Sequence, residues 1–274
     1  MPELPEVETV KRNLQDTILN QQISDVVLYS NKSLRNANKK ELNNIKGQKI
    51  KSIDRKAKHL IIRLEKHYLI LHLRMEGKIF FLKNEKGIEN EKKSHFIITF
   101  KTKKGIIIFK DHRLFATVDI FNNDISYKDN PVLIKVGNET FDTKPDYLYK
   151  KLKNKRVAIK TALLDQSIMS GLGNIYVDEV LYSVKIHPQT QSNQISKKQC
   201  DLIIKNSNKI MSKSIEVGGT SKTSFTYDGD KEGGYYKFLK AHVQKECKKC
   251  KTLITKIKVG GRGTYYCKIC QKLY

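Results

Sequence analysis

The sequence predicts a multidomain α+β protein. Three observations predict it: an amphipathic helix at the very start, a long series of short apolar runs after it, and a helix-rich second half that closes on two cysteine pairs. The opening helix is read from Val7, Val10, Leu14 and Ile18, which recur at helical spacing. Pro5 suits its first turn, and Glu6 and Glu8 complement the positive end of its dipole. Residues 23–29, 48–53, 59–64, 68–74, 96–100, 106–109 and 117–121 are short runs rich in Ile, Leu, Val, Phe and Thr. Strands at such spacing build a sandwich or a barrel. Residues 84–94 read as an exposed polar loop.

The second half reads as helices. Residues 123–145 carry Pro131, Gly137 and Pro145 and look like a connection. Asp146 is expected to cap a short helix through Leu152, and 163–165 to lie in another. Asn174 is expected to cap a helix through Val184. Ser196 and Gln199 form a capping box that opens a longer helix, with Ile203, Ile204, Ile210, Met211 and Ile215 on its apolar face. Gly218 and Gly219 end it. Residues 219–237 are rich in Gly, Ser, Thr, Asp and Lys, which suits a lid or binding loop. The expected domains are 1–131, a linker at 132–145, a helical domain at 146–240, and a cysteine module at 241–274. The chain shows no internal repeat.

Composition narrows the partners. No stretch approaches the roughly 20 apolar residues of a membrane span, and the N-terminus lacks the zones of a signal peptide. A soluble, intracellular protein is expected. The net charge is +25, from 53 basic and 28 acidic residues. Such an excess suits a polyanion, because each neutralised phosphate releases condensed counterions. Only eight of the basic residues are Arg, so AT-rich coding also contributes. The distribution favours function: residues 240–274 carry 10 basic residues against Glu246 alone.

Cys247, Cys250, Cys267 and Cys270 follow the pattern C-x2-C-x16-C-x2-C, while Cys200 stands apart in a helical pattern. In a chain without a secretory signal, such pairs read as metal ligands. Four thiolates close a tetrahedral zinc shell, so one structural Zn2+ is expected, and it supplies folding energy to a module too small for a large core. The spacing places a β-hairpin between the knuckles, with 253–259 outbound, 264–266 returning, and Gly260-Gly261-Arg262-Gly263 as the turn. Arg262 at that tip is placed to reach DNA, or is an ordinary turn residue.

The other chemical signal is Met1-Pro2-Glu3. With Met1 removed, Pro2 presents a secondary amine with a pKa of roughly 7.7–8.0. Its attack on a sugar anomeric carbon gives an iminium that has no N–H proton to lose, a fixed electron sink for elimination. Glu3, one residue away, can move protons at the sugar. The same residues also open ordinary helices, and spacing alone does not separate the readings.

The stretch Pro2-Glu3-Leu4-Pro5-Glu6-Val7-Glu8-Thr9 closely resembles the signature of formamidopyrimidine-DNA glycosylases. Gly171-Leu172-Gly173-Asn174-Ile175-Tyr176-Val177-Asp178-Glu179 is similar to that family's helix–two-turns–helix motif, and the four-cysteine finger with Arg262 completes the pattern. The resemblance spans essentially the whole chain. It implies an N-terminal β-sandwich with an attached helix, a helix–two-turns–helix domain and a C-terminal zinc-finger hairpin, with DNA between the halves. It implies a monomeric DNA glycosylase and AP lyase of the bacterial cytosol and nucleoid. That enzyme acts on oxidised purines in damaged double-stranded DNA, with no membrane partner and no nucleotide cofactor.

The resemblance also implies roles. Pro2 is the nucleophile and Glu3 the proton-transfer residue, while Glu6 lies near the damaged base. Lys58, one Lys among 45, contacts the target phosphate and aids catalysis. Asn174 and Arg262 grip flanking phosphates. His72 is a further phosphate contact, or a satisfied core histidine. Met75, Arg113 and Phe115 fill the void left by a flipped nucleotide. Read from residues alone, Met75 at the end of an apolar strand favours a core position, and Phe115 is similarly ambiguous. Ala116 departs from the family's usual Gly, 241–244 from its apolar-aromatic run, and the middle of 221–236 from its base-covering loop. Two alternatives remain: endonuclease VIII, the sister enzyme for oxidised pyrimidines, and a non-enzymatic zinc-dependent DNA-binding protein.

Overall fold

The computed structural model describes residues 2–83, 85–89, 91–124, 126, 129–220, 226–227 and 231–273. The chain divides into two compact units. One comprises 1–134 with 218–234, and the other 135–217 with 235–274. Residues 218–234, counted with the helical segment from sequence, group with the first unit. The cysteine module groups with the second.

The first unit opens with helix α1 (Leu4–Ile18). Two four-stranded antiparallel sheets follow. One runs in the order β1 (Ile23–Leu28), β6 (Phe96–Thr102), β7 (Gly105–Lys110), β5 (Lys78–Leu82). The other runs β2 (Ser52–Lys56), β3 (His59–Arg63), β4 (His67–His72), β8 (Thr117–Asn122). A short helix α2 (Lys39–Asn43) lies between β1 and β2. Two packed sheets make a sandwich, one of the two architectures the strand spacing left open.

Strand alternation explains why these runs are so apolar. Leu60, Ile62, Leu69, Leu71, Val118 and Ile120 of one sheet join Val26, Ile98, Phe100, Ile107 and Phe109 of the other in a single core. The apolar stripe Val7, Val10, Leu14 and Ile18 of α1 packs into the same core. The opposite faces are also covered: Ile61, Tyr68 and Ile70 pack with Leu133, and Phe80, Phe96, Ile106 and Ile108 form a separate cluster. Strands buried on both faces read as continuous apolar runs.

In the second unit, α3 (Pro145–Leu152), α4 (Ile159–Leu164), α5 (Asn174–Ser183) and α6 (Lys197–Glu216) precede a hairpin of β11 (Thr255–Val259) and β12 (Arg262–Tyr266). Two-residue strands β9 (Thr226–Tyr227) and β10 (Lys231–Glu232) pair in the first unit. Helix α5 is buried at every position from Tyr176 to Tyr182. It holds α6 in part through Tyr176, whose hydroxyl lies 2.6 Å from Ser214 Oγ.

Several boundaries differ from the sequence reading. The second strand begins at Ser52 instead of residue 48, and β5 was not anticipated. Lys144 caps α3, with Pro145 and Asp146 inside its first turn, because Pro pre-sets the first helical turn and holds its predecessor extended. Gly173 caps α5, and Asn174 is its first helical residue. The Ser196 capping box is present.

Leu69 is fully buried in the shared core. Leu69→Ala is expected to cost about 2–5 kcal/mol, measured by urea unfolding; a loss below about 1 kcal/mol contradicts this packing.

Candidate active site

Chain ends fray unless tied down, and the Pro2 end is tied by carboxylates of α1. Pro2 is buried, and Glu3 and Glu6 are 1% and 2% exposed. The Glu3 N–H donates to Glu6 Oε2 at 2.8 Å, and the Thr220 N–H donates to Glu6 Oε1 at 2.7 Å. Glu6 therefore joins the start of the chain to the first residues of the 219–237 loop. Gly219 permits the approach: its φ is +86°, and a Cβ there falls 2.9 Å from Glu6 Oε1. Of that loop, 221–225 and 228–230 lie outside the described residues.

Two residues further along α1, Glu8 Oε2 accepts from Arg55 Nε at 2.9 Å, and Arg55 Nη1 donates to the Ala57 carbonyl at 3.0 Å. Burial alone raises the Glu8 pKa, but Arg55, Arg12 and Lys11 together hold it below the usual carboxylate range. This chain of bonds sets α1 against the two-residue turn 57–58 that joins β2 to β3. Lys58 sits in that turn, 5% exposed.

Sheet register gathers the remaining candidates of this unit. His59 pairs with His72, and His72 with Thr117. Lys58 immediately precedes β3, Met75 follows β4, and Arg113 and Phe115 precede β8, so all stand at one end of one sheet. Met75 is half-buried in a turn beyond the strand. The His59 and His72 rings meet edge-on at 4.6 Å. The Arg74 N–H donates to His72 Nδ1 at 2.9 Å, which fixes Nε2 as the protonated ring nitrogen. Burial pushes His59 down to about 4 and His72 well below its ordinary value, and neighbouring Arg74, Arg35 and Lys58 add to both effects. Both rings are neutral at neutral pH.

Asp111 organises the loop at 111–116. Its Oδ1 accepts from the Arg113 N–H at 3.0 Å, and its Oδ2 from the N–H groups of Phe115 and Ala116 at 2.9 and 2.8 Å. Phe115 is 52% exposed, a costly placement for a Phe. The Arg113 guanidinium lies over its ring at 4.5 Å. Ala116 is not among the residues with positive φ, so its Cβ is tolerated. Three non-glycine residues here are left-handed: Ala57 at +52°, Arg74 at +55° and Leu114 at +53°. Each lies beside a candidate DNA contact. Such strain, roughly 1–3 kcal/mol per residue, gathers at functional sites.

The second unit has its own polar hub. Lys160 and Asp178, both fully buried, pair at 2.7 Å. Asp178 Oδ2 also accepts from the Tyr265 N–H at 3.2 Å and lies 2.7 Å from His242 Nδ1. The Gly263 carbonyl accepts from Lys160 Nζ at 3.2 Å and from Asn174 Nδ2 at 3.0 Å. Asn174 is thus held beside Arg262, which is exposed. Arg262 does not sit at the loop tip. Gly260 and Gly261, with φ +53° and +77°, form a two-residue turn, and Arg262 opens the return strand opposite Val259. Two consecutive positive φ values match the twist of a tight hairpin. Glu179 accepts from the N–H groups of Lys240, Ala241 and His242 and so fixes the chain leading to the finger.

The four cysteine Sγ atoms lie within 4.8 Å of one another, with Cys247–Cys270 at 3.9 Å and Cys250–Cys267 at 3.4 Å. A tetrahedral zinc with bonds near 2.3 Å has S···S edges of about 3.8 Å. The donor set fits one structural zinc with no open position. Gln271 ties this knuckle to the helical segment, accepting from the Cys267 N–H and donating to the Ile186 carbonyl.

The sequence reading did not single out Arg55, Asp111, Lys160 or His242 as working residues. Lys160 carried a signal in hindsight: it is a charge next to Ile159 and Ala162 on an apolar helix face. Asp111 carried a weaker one, an Asp ahead of a turn.

Two outcomes follow from this geometry. Removing zinc with a strong chelator should melt 246–272 while the sandwich persists, read from amide NMR signals. Because the fold favours neutral His59 and His72, their contribution is fully present above pH 6.5. It is lost as pH falls toward 4, where the unfolded chain takes up the protons first. The melting temperature of the first unit should therefore fall across that window, and less so in His59→Phe.

Residues 1–118 match the formamidopyrimidine-DNA glycosylase N-terminal domain, 136–226 the formamidopyrimidine-DNA glycosylase H2TH domain, and 244–273 the zinc finger found in FPG and IleRS. The formamidopyrimidine-DNA glycosylase of Mycoplasma genitalium is 38% identical over 280 residues, covering 100% of this chain and 96% of that protein. That of Mycoplasma mobile is 39% identical over 279 residues, covering 100% of each. A Lactococcus lactis FPG mutant solved with a Fapy-dG containing DNA superposes with a TM-score of 0.91 at 33% identity, over 99% of this chain and 100% of that one. The wild-type Lactococcus lactis FPG solved with an oxidized pyrimidine containing DNA gives 0.89, at the same identity and coverage. With domain matches along most of its length and relatives aligned end to end, the chain belongs to the formamidopyrimidine-DNA glycosylase family of DNA repair enzymes.

Proposed function

We propose that this enzyme excises oxidised purines, 8-oxoguanine and formamidopyrimidines, from double-stranded DNA and then nicks the strand. The observation that carries the reading is the pinned N-terminus. A prolyl nitrogen stands one residue from a buried glutamate, and Glu6 and Glu8 fix both against the rest of the unit.

Met1 is removed, and the freed Pro2 nitrogen attacks C1′ of the damaged nucleotide. The bond from C1′ to the base breaks, and the amine proton passes to the departing base. Glu3 delivers a proton to O4′ as the sugar ring opens, leaving an iminium at C1′. Loss of a C2′ proton expels the 3′ phosphate, and loss of a C4′ proton expels the 5′ phosphate. Water then hydrolyses the remaining adduct and regenerates the amine. This is β,δ-elimination through a Schiff base.

The other residues bind and position. Lys58 and the neutral Nε2–H of His72 contact DNA phosphates, and Asn174 and Arg262 grip phosphates flanking the lesion. These contacts supply affinity without reading sequence. Met75 and Phe115 fill the gap left by the flipped nucleotide, and Arg113 hydrogen-bonds the orphaned base. Glu6 borders the damaged base and acts as the tie that seats the covering loop. Zinc holds the hairpin that presents Arg262. The enzyme works as a monomer in the bacterial cytosol, at the nucleoid.

A second reading has support. A Lactococcus lactis neighbour is solved in complex with an oxidized pyrimidine containing DNA, which supports a pyrimidine lesion as the alternative substrate. Comparing release of 8-oxoguanine and thymine glycol separates the two.

Borohydride reduces an iminium, so it should cross-link Pro2 to lesion-containing DNA. A cross-link mapped to a lysine refutes Pro2 as nucleophile. Glu3→Gln should slow excision by about 10²–10⁴-fold and leave lesion-duplex affinity unchanged. Undiminished excision removes Glu3 from the mechanism.

A further inference from the structure

Arg74 occupies the turn after β4, between His72 and Met75, with φ +55°. That region disfavours any side chain relative to glycine. The fold uses only what glycine also supplies, the backbone N–H that donates to His72 Nδ1. The side chain is exposed and, among the described residues, makes no ion pair or hydrogen bond. Asp119, the carboxylate whose field reaches it, is already gripped in bidentate fashion by Arg35.

The surroundings make an arginine still less favourable for the free protein. Arg35, Lys58 and Arg74 all act on the same half-buried His72. Burial and the Arg35 charge weaken the hold of Arg74 on its own proton. Backbone conformation, local charge and the lack of a partner each argue against an arginine here, and the fold gains nothing from its head group. An anion arriving from outside would reverse two of these penalties.

We propose that the Arg74 guanidinium is a phosphate ligand that grips the DNA strand beside the phosphate offered to His72. The proposal rests on the reading that this end of the sheet meets DNA. Arg74 then acts twice: its backbone N–H sets the His72 tautomer, and its side chain adds a charge-assisted, planar contact of its own.

Arg74→Gly separates the two roles, because glycine keeps the N–H and suits the backbone. The probe is a duplex carrying a tetrahydrofuran abasic analogue, bound by the full-length zinc-loaded protein at salt concentrations from 50 to 200 mM. The variant should melt no lower than the parent, bind about 10-fold more weakly at low salt, and show a slope of log affinity against log salt reduced by about 0.9, one phosphate's worth. Arg74→Lys should restore most of the slope but not all of the affinity. Parent-like affinity and slope in Arg74→Gly overturn the proposal and leave the function intact. Failure of the parent itself to bind the duplex overturns both.

Discussion

The placement of Pro2 and Glu3 depends on how rigidly helix α1 is seated. Its apolar stripe enters the sandwich core, but apolar contact alone does not fix a helix against sliding or rotation. The Glu8–Arg55 pair does, because Arg55 also holds the Ala57 carbonyl. The helix that carries Pro2 and Glu3 is thereby set in register with the turn that carries Lys58. On the proposed chemistry, Pro2 and Lys58 need a defined separation, since misplacement by an ångström is costly in reactions that rely on orientation.

Around this anchor the fold tolerates local discomfort. Ala57, Arg74 and Leu114 hold left-handed backbones in three connections at one end of a single sheet. Leu114 and Phe115 are turned toward solvent. None of this helps the sandwich, whose core lies elsewhere. Asp111 keeps the most exposed of these loops in shape through three backbone amides, so this loop is preformed. Preorganisation of this kind lowers the cost of binding.

Much of this was legible in the sequence because it follows from periodicity or spacing. The α1 stripe, the strand-rich region and the two cysteine knuckles all express local patterns. The β5 strand was missed because Lys78–Leu82 is five residues with little alternation. Both of its faces are buried, so its pattern carries no period of two. Cap assignments slipped by two residues at α3, from Asp146 to Lys144, and by one at α5, from Asn174 to Gly173, where backbone geometry outweighs side-chain preference. The polar hub was illegible for a different reason. Lys160 and Asp178 are 18 residues apart, and Gly263 and His242 are further still. Nothing local marks two charges that neutralise each other only after the helices have packed. Family resemblance, not spacing, supplied His72, Met75 and Phe115 as candidates, and the sheet register explains why they stand together.

The hydrogen bond from Thr220 to Glu6 spans 214 positions of the chain, and residues 218–234 belong to the unit that begins at the N-terminus. Closing so long a loop is entropically unfavourable until the intervening helices have compacted. On a ribosome, the sandwich strands emerge early, yet the surroundings of Pro2 stay incomplete until the long helix α6 has been translated and passed. The surroundings of Pro2 are therefore among the last parts of the nascent chain to mature, and truncated products that end before this point carry Pro2 without the Glu6–Thr220 tie.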